Sequence, residues 1–277
     1  MAKTIAVLGL GIIGSRAADC LRKDGHLVRC WNRTPMDRED ICDTAVEACA
    51  GSDFVALYLK DGIAVREVFE KIKPSLNPQQ VVLNHSTIDL ETTNWLHAQC
   101  QEVGCGFLDS PFTGSKVAAG EGSLVYYVGG DKETLVLSHP VLEATSKEIK
   151  HLGPVGSATI VKLATNLISA STVQALSEAL AITKSHGIDS KVFTESVLSN
   201  ACGSVLAKMK LPTMADGDYD THFSMENMLK DSRFALKLAD DAGIDLPGIR
   251  TTSECMQNRC EKGDARLDFS ALFKAYE

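Results

Sequence analysis

Near the start of the chain, Gly9-Leu10-Gly11-Ile12-Ile13-Gly14 joins a short apolar run, residues 5–8, to a helical pattern over residues 14–23. A second β-rich run follows at residues 27–31. Glycines at this spacing, between a strand and a helix, constrain the fold more than any other feature. The first allows a tight turn, the second lets backbone approach a pyrophosphate, and the third permits close helix–strand packing. The helix start then offers free N–H groups and the positive end of its dipole to phosphates. The pattern predicts a dinucleotide-binding βαβ unit, with Gly9, Leu10, Gly11, Ile12, Ile13 and Gly14 around the cofactor.

The second run ends at Trp31-Asn32-Arg33-Thr34. An NAD-specific site wants a carboxylate here for the ribose 2′-hydroxyl, and a carboxylate would repel a 2′-phosphate. Neutral Asn32 followed by Arg33 and Thr34 instead suits a 2′-phosphate, because a guanidinium can pair with it. The expected cofactor is NADP(H).

Further β-rich runs at residues 54–59, 81–84, 106–108 and 124–128 alternate with helical patterns at 64–71 and 90–101. Strand–helix alternation predicts a parallel, doubly wound α/β sheet of the Rossmann type. Gly104 and the Gly129-Gly130 pair read as the punctuation that ends this region. Leu59 and Lys60 then close a strand on the side where such sheets bind ligands. From Pro154 onward the pattern is helical. A helix of about 30 residues, roughly 45 Å long, is expected with Pro154 at its first position and Gly187 as its stop. More helical stretches follow at 191–199, 205–210, 225–242, 249–262 and 269–276. The expected division is a Rossmann domain over residues 1–153 and an all-α domain over 154–277, beginning with a long interdomain helix.

Composition narrows the function. The net charge is −8 and both halves are mildly acidic, so no basic face is available for a polyanion and no nucleic-acid partner is expected. No apolar run is long enough to span a bilayer, and the run over residues 5–8 is too short for a signal-peptide core and has no cleavage-like site after it. The nine cysteines are scattered without C-x-x-C or zinc spacing, so a reduced, cytoplasmic protein without a metal is expected.

Gly153-Pro154-Val155-Gly156 leads into residues 157–166, where Lys162 and Asn166 are one helical turn apart. Apolar neighbours at 161, 163, 164 and 167 leave two readings for the lysine: a side chain snorkelling outward, or one in a partly buried site.

Taken together the chain resembles the β-hydroxyacid dehydrogenase family, which includes 3-hydroxyisobutyrate dehydrogenase. Four blocks carry the resemblance: the glycine turn; Asp109-Ser110-Pro111-Phe112-Thr113-Gly114-Ser115, similar to the family's D-x-P-V-S-G-G; residues 153–166, similar to G-x-x-G-x-G-x-x-x-K-x-x-x-N; and Lys230-Asp231 with Leu236-Lys237-Leu238-Ala239, similar to K-D-L-x-L-A. Gly114-Ser115-Lys116 with Glu121-Gly122-Ser123-Leu124 looks nearest to the glyoxylate/succinic semialdehyde reductase branch. The resemblance implies that Lys162 is the general acid–base and that Asn166 orients it or holds substrate. It implies a substrate carboxylate at Thr113, Gly114 and Ser115, Thr87 near the nicotinamide ribose, and Lys230 over the cofactor. It also implies a small carboxylated aldehyde or hydroxy acid as substrate, and a homodimer or homotetramer. A 3-hydroxyisobutyrate or tartronate semialdehyde dehydrogenase, an imine reductase and a catalytically silent module are the alternatives, and the presence of Lys162 argues against the last two. The chain departs from the pattern at Phe112 and Thr113, which are expected to tighten the substrate pocket, and at Ala158, Asn84 and His85. His85, beside Thr87, reads as pocket wall.

Overall fold

The computed structural model describes residues 2–277, and the chain divides into two compact units between Lys162 and Leu163. The first unit holds strands β1 (Thr4–Leu8), β2 (Leu27–Trp31), β3 (Phe54–Leu57), β4 (Val81–Asn84), β5 (Gly106–Asp109), β6 (Phe112–Thr113), β7 (Leu124–Gly129) and β8 (Ser146–Gly153). Its helices are α1 (Gly14–Lys23), α2 (Ala45–Cys49), α3 (Gly62–Ile72), α4 (Leu90–Val103), α5 (Lys116–Gly120) and α6 (Lys132–Glu143). The strands make one sheet in the order β2-β1-β3-β4-β5-β7-β6, with β8 also paired to β7.

Alternation along the strands builds a core on both faces. Ile5, Val7, Phe54, Ala56, Val81 and Leu83 pack into one apolar cluster. Ala6, Leu8, Val55, Leu57, Val82 and Phe107 pack into a second. Successive side chains in a strand point to opposite faces, so near-continuous apolar strands require helices on both sides. Burying each Val, Leu or Ile contributes about 1.5–3 kcal/mol, which makes the doubly covered sheet the stable solution.

Pairing is parallel from β2 to β5, but β7 runs antiparallel to both β5 and β6, so the sheet is mixed. The link from β6 to β7 holds only the one-turn helix α5, and a parallel return needs a full crossover. The strand expected over 54–59 stops at Leu57, although the Tyr58 N–H still donates to the Leu8 carbonyl at 2.8 Å. Past Gly129-Gly130 the first unit holds two more elements, for which the sequence pattern predicts nothing. There Asp131 caps α6 by accepting the Thr134 N–H at 2.8 Å, and β8 follows. The interior Pro140 obscures α6 in the sequence.

Helix α7 (Ser157–Ser185) has 29 residues and contains the division between the units. It starts later than expected: Pro154 lies in the preceding turn, its carbonyl accepting the Ser157 N–H at 3.1 Å. Gly187, with φ +75°, follows its end. The second unit continues with α8 (Ser190–Leu198), α9 (Val205–Asp216), α10 (Met225–Asp241) and α11 (Pro247–Arg259), then a 3₁₀ segment at Phe269–Ala275. Val173, Leu176 and Leu180 of α7 share its core with Leu211, Met228, Met256 and Phe273. No helix among the described residues is long and apolar enough to cross a membrane.

Candidate active site

Strand register sets up the site in the first unit. Trp31 pairs with Leu8, Leu8 with Leu57, Leu57 with Asn84, and Asn84 with Asp109. Five strands thus end in one row. The segments that leave this row carry Asn32–Thr34, the glycine turn, Leu59 and Lys60, Thr87, and the 113–115 loop. Ligands of open α/β sheets bind outside such carboxyl ends.

The three glycines of the turn have separate physical reasons. Gly9 has φ +99°, and a Cβ there would overlap the Tyr58 carbonyl oxygen. A Cβ on Gly14 would overlap the Gly9 carbonyl oxygen. A Cβ on Gly11 would meet nothing within 4 Å, so only this glycine faces open space. The start of α1 has no side-chain cap and no acidic residue in its first turn, whereas Thr44, Asp61, Asp89, Ser115 and Asp131 cap α2 to α6. A turn that is open at Gly11 and a helix start left uncapped fit a dinucleotide pyrophosphate.

Asn32 braces this turn. Its Oδ1 accepts the Leu10 N–H at 3.0 Å, and its Nδ2 donates to the Thr34 carbonyl at 2.9 Å. Arg33 and Thr34 are exposed. Arg38, farther along, pairs with carboxylates, its Nε 2.9 Å from Asp40 and a terminal nitrogen 3.0 Å from Asp19. On the next strand end, Leu59 N–H donates to Ser86 Oγ at 2.8 Å, tying the Leu59–Lys60 turn to the segment that holds Thr87.

The 109–115 segment joins the row to α7. Asp109 is fully buried, and its carboxylate accepts the Thr159 N–H and Thr159 hydroxyl, each at 2.9 Å. Burial pushes its pKa up to about 6, while the bonds from Thr159 oppose that rise. Thr159 lies one turn before Lys162, so Asp109 anchors the first turn of the lysine helix. Farther along, Thr113 pairs with Val125, and Gly114 takes φ +142° with no room for a Cβ beside Leu124. The Ser115 hydroxyl caps α5 by accepting the Ala118 N–H at 3.2 Å. Its side chain therefore serves the loop.

In the second unit, Asn166 is 8% exposed, and its Nδ2 donates to Asp231 Oδ2 at 2.7 Å. Lys230 Nζ lies 2.7 Å from Asp231 Oδ1 and 5.0 Å from the Phe234 ring centre. Asp231, 1% exposed, thereby links two expected site residues. In the sequence Asp231 stands only as the neighbour of Lys230, with no sign of this role. Its side chain is spoken for on both oxygens, a fact that only the fold reveals. Among the described residues, no group of three His, Cys, Asp or Glu side chains is placed to hold a metal ion.

Residues 4–153 match the NAD-binding domain of 6-phosphogluconate dehydrogenase, and residues 156–276 match the NAD-binding domain of NADP-dependent 3-hydroxyisobutyrate dehydrogenase. The chain is 28% identical to glyoxylate/succinic semialdehyde reductase 1 of Arabidopsis thaliana over 98% of its own length and 97% of that protein's. It is 27% identical to the NAD-dependent L-serine dehydrogenase of Pseudomonas aeruginosa, over 99% and 98% of the two chains. Its fold superposes on Mycobacterium tuberculosis 3-hydroxyisobutyrate dehydrogenase with L-serine at a TM-score of 0.91, with 26% identity and 99% of each chain covered. The chain belongs to the 3-hydroxyisobutyrate dehydrogenase-like family of β-hydroxyacid dehydrogenases.

The protein is thus an oxidoreductase of a family acting on CH–OH groups, with NAD(P)-binding domains. Its departures from the β-hydroxyacid dehydrogenase pattern now have locations. Phe112 turns its ring toward Tyr58, with centroids 6.2 Å apart, and packs against the sheet core. Ala158 is fully buried, and its backbone fits because Gly129 opposite has no side chain: a Cβ there would lie 3.3 Å from Ala158 N. Asn84 and His85 are buried at the centre of the row of strand ends.

Proposed function

We propose that this protein is an NADPH-dependent reductase of small carboxylated aldehydes such as glyoxylate or succinic semialdehyde. One observation carries the reading: Asp109, at the head of the substrate-loop block, anchors the turn that precedes Lys162. Residues 1–153 would bind the cofactor. Gly9 to Gly14 would hold its pyrophosphate, Asn32, Arg33 and Thr34 its 2′-phosphate, and Leu59, Lys60, Thr87 and Lys230 the remainder. Residues 154–277 would supply the rest of the substrate site and the oligomer contacts of a homodimer or homotetramer, in the cytoplasm.

A bound nicotinamide would supply the hydride for the carbonyl carbon. Thr113 and the backbone N–H groups of Gly114 and Ser115 hold the substrate carboxylate and so orient the carbonyl. The Lys162 ammonium stabilises the developing alkoxide and donates its proton to that oxygen, completing the hydroxyl group. In the oxidative direction the neutral amine takes the proton back. Asn166, held by Asp231, orients the reacting groups.

The test is a substrate panel on the purified protein. Glyoxylate, succinic semialdehyde and tartronate semialdehyde are offered with NADPH and with NADH, and 3-hydroxyisobutyrate and L-serine with the oxidised cofactors. The expected result is aldehyde reduction with kcat/KM at least about tenfold higher for NADPH, the worth of one good charge-assisted contact. Equal turnover with NADH overturns the role of Arg33. Turnover of imines alone favours an imine reductase, and no turnover at all leaves a silent module.

A further inference from the structure

His85 occupies the middle of the strand-end row and touches three elements at once. Its Nδ1 lies 2.8 Å from the Ser110 carbonyl and 3.2 Å from Ser110 Oγ. Its ring stacks on Tyr58, with centroids 4.6 Å apart, and packs against Tyr126 at 4.7 Å. Those two tyrosines are bonded through their hydroxyls at 2.9 Å, and Tyr126 continues to Thr145 Oγ1 at 2.9 Å. The imidazole is therefore wedged in a fixed frame. Since a carbonyl only accepts, Nδ1 carries the proton. Burial lowers the ring's pKa to about 4, so it stays neutral near pH 7.

The partners are what make this bond informative. Tyr58 immediately precedes Leu59 and Lys60. Ser110 immediately precedes Pro111, whose carbonyl accepts the Tyr127 N–H at 2.9 Å, and Phe112-Thr113 then lie against β7. The backbone alone ties Ser110 to this row once, through its N–H to the Asn84 carbonyl at 2.9 Å. The Ser110 hydroxyl adds a longer bond to the same Asn84 carbonyl at 3.4 Å, and the imidazole ties the Ser110 carbonyl itself.

We infer that His85 is a positioning residue: by bonding the Ser110 carbonyl from its aromatic frame, it sets the 113–115 turn that receives the substrate carboxylate. The inference rests on the proposed reductase reading. It assigns His85 an effect on substrate KM, with cofactor binding left alone.

Two variants separate the bond from the ring. His85→Phe keeps an aromatic ring between the tyrosines but leaves the Ser110 carbonyl without its donor. His85→Asn keeps an N–H near the position of Nδ1 but gives up the ring. With NADPH saturating, His85→Phe should raise KM for glyoxylate and for succinic semialdehyde about tenfold, the effect of one unmet buried hydrogen bond. Its kcat should stay within about threefold and its NADPH Kd within about twofold of wild type, well inside a single hydrogen bond's worth. His85→Asn should restore KM to near wild type while lowering the thermal midpoint. Unchanged KM in His85→Phe overturns the inference, as does a tenfold rise in His85→Asn. The second result stands as a test even if His85→Phe fails to fold. A parallel rise in NADPH Kd also overturns it, by showing a general loss of structure. Wild-type protein that reduces neither aldehyde removes the reductase reading and this inference together, whereas wild-type turnover with unchanged KM in the variants removes only the inference.

Discussion

A methyl group added to each glycine of the first turn meets three different surroundings. At Gly9 and Gly14 it runs into carbonyl oxygens of the fold, and at Gly11 it meets nothing. Gly9→Ala and Gly14→Ala should therefore lose stability, by about 1–3 kcal/mol or more for a clash that flexible side chains cannot relieve. Gly11→Ala should melt within a few degrees of wild type, since Gly11 lacks a positive φ. It should still bind NADPH at least about tenfold more weakly, as its Cβ takes up the space of the pyrophosphate. Melting curves paired with cofactor titrations check this, and Gly11→Ala with wild-type affinity would contradict it. At this scale Gly9 and Gly14 were legible because backbone sterics leave few residues that can stand there, whereas nothing in the fold itself requires Gly11. The roles of Asn32, Phe112 and Asp231 were not. The sequence makes Asn32 a missing carboxylate, yet it also braces Leu10. Phe112 is expected to tighten the substrate pocket, and the sequence does not show that its ring packs beside Tyr58 against the sheet core. The two bonds of Asp231 span 65 residues to Asn166 and one to Lys230, and long-range pairing leaves no local trace.

Among the elements, α7 shows how a strand end governs a helix. Pro154 suggests a start three residues early, but the first turn forms where Asp109, fifty positions away, can accept the Thr159 N–H. Caps from the same loop are readable in sequence, as at Asp131 and Thr134, whereas a cap from another strand is not. Loop length hides the antiparallel β6–β7 pairing in the same way, because a short α5 leaves no room for a crossover. Asp109 also sets a pH dependence. Its carboxyl titrates near 6 in the fold against 3.8 ordinarily, so the folded state holds the proton more tightly. The stability this confers is complete below 3.8 and is lost as pH rises through about 6. Asp109→Asn has no such titration. Urea unfolding at several pH values should show wild type losing on the order of 2–3 kcal/mol relative to Asp109→Asn between pH 4 and 6.5. A constant difference across that range would contradict the raised pKa.

For the whole molecule, a net charge of −8 meets two anionic ligands under the proposed function. The average field opposes them, so Arg33, Lys162, Lys230 and the amides of the glycine turn must provide the local attraction. Doubly wound order was legible because the central strands β1, β3 and β4 are apolar along nearly their whole length and buried on both faces. The mixed edge of the sheet was not, because it depends on pairing across the chain. Under the proposed function the labour is divided: the glycine turn would bind the cofactor, and Lys162 would move the proton. Lys162→Ala measured beside wild type tests that division most directly, with NADPH affinity from fluorescence titration and aldehyde reduction from NADPH oxidation. NADPH Kd should stay within about twofold of wild type, and kcat should fall by at least about 100-fold, the scale of one general acid. A variant that binds NADPH normally and keeps wild-type kcat would contradict that division.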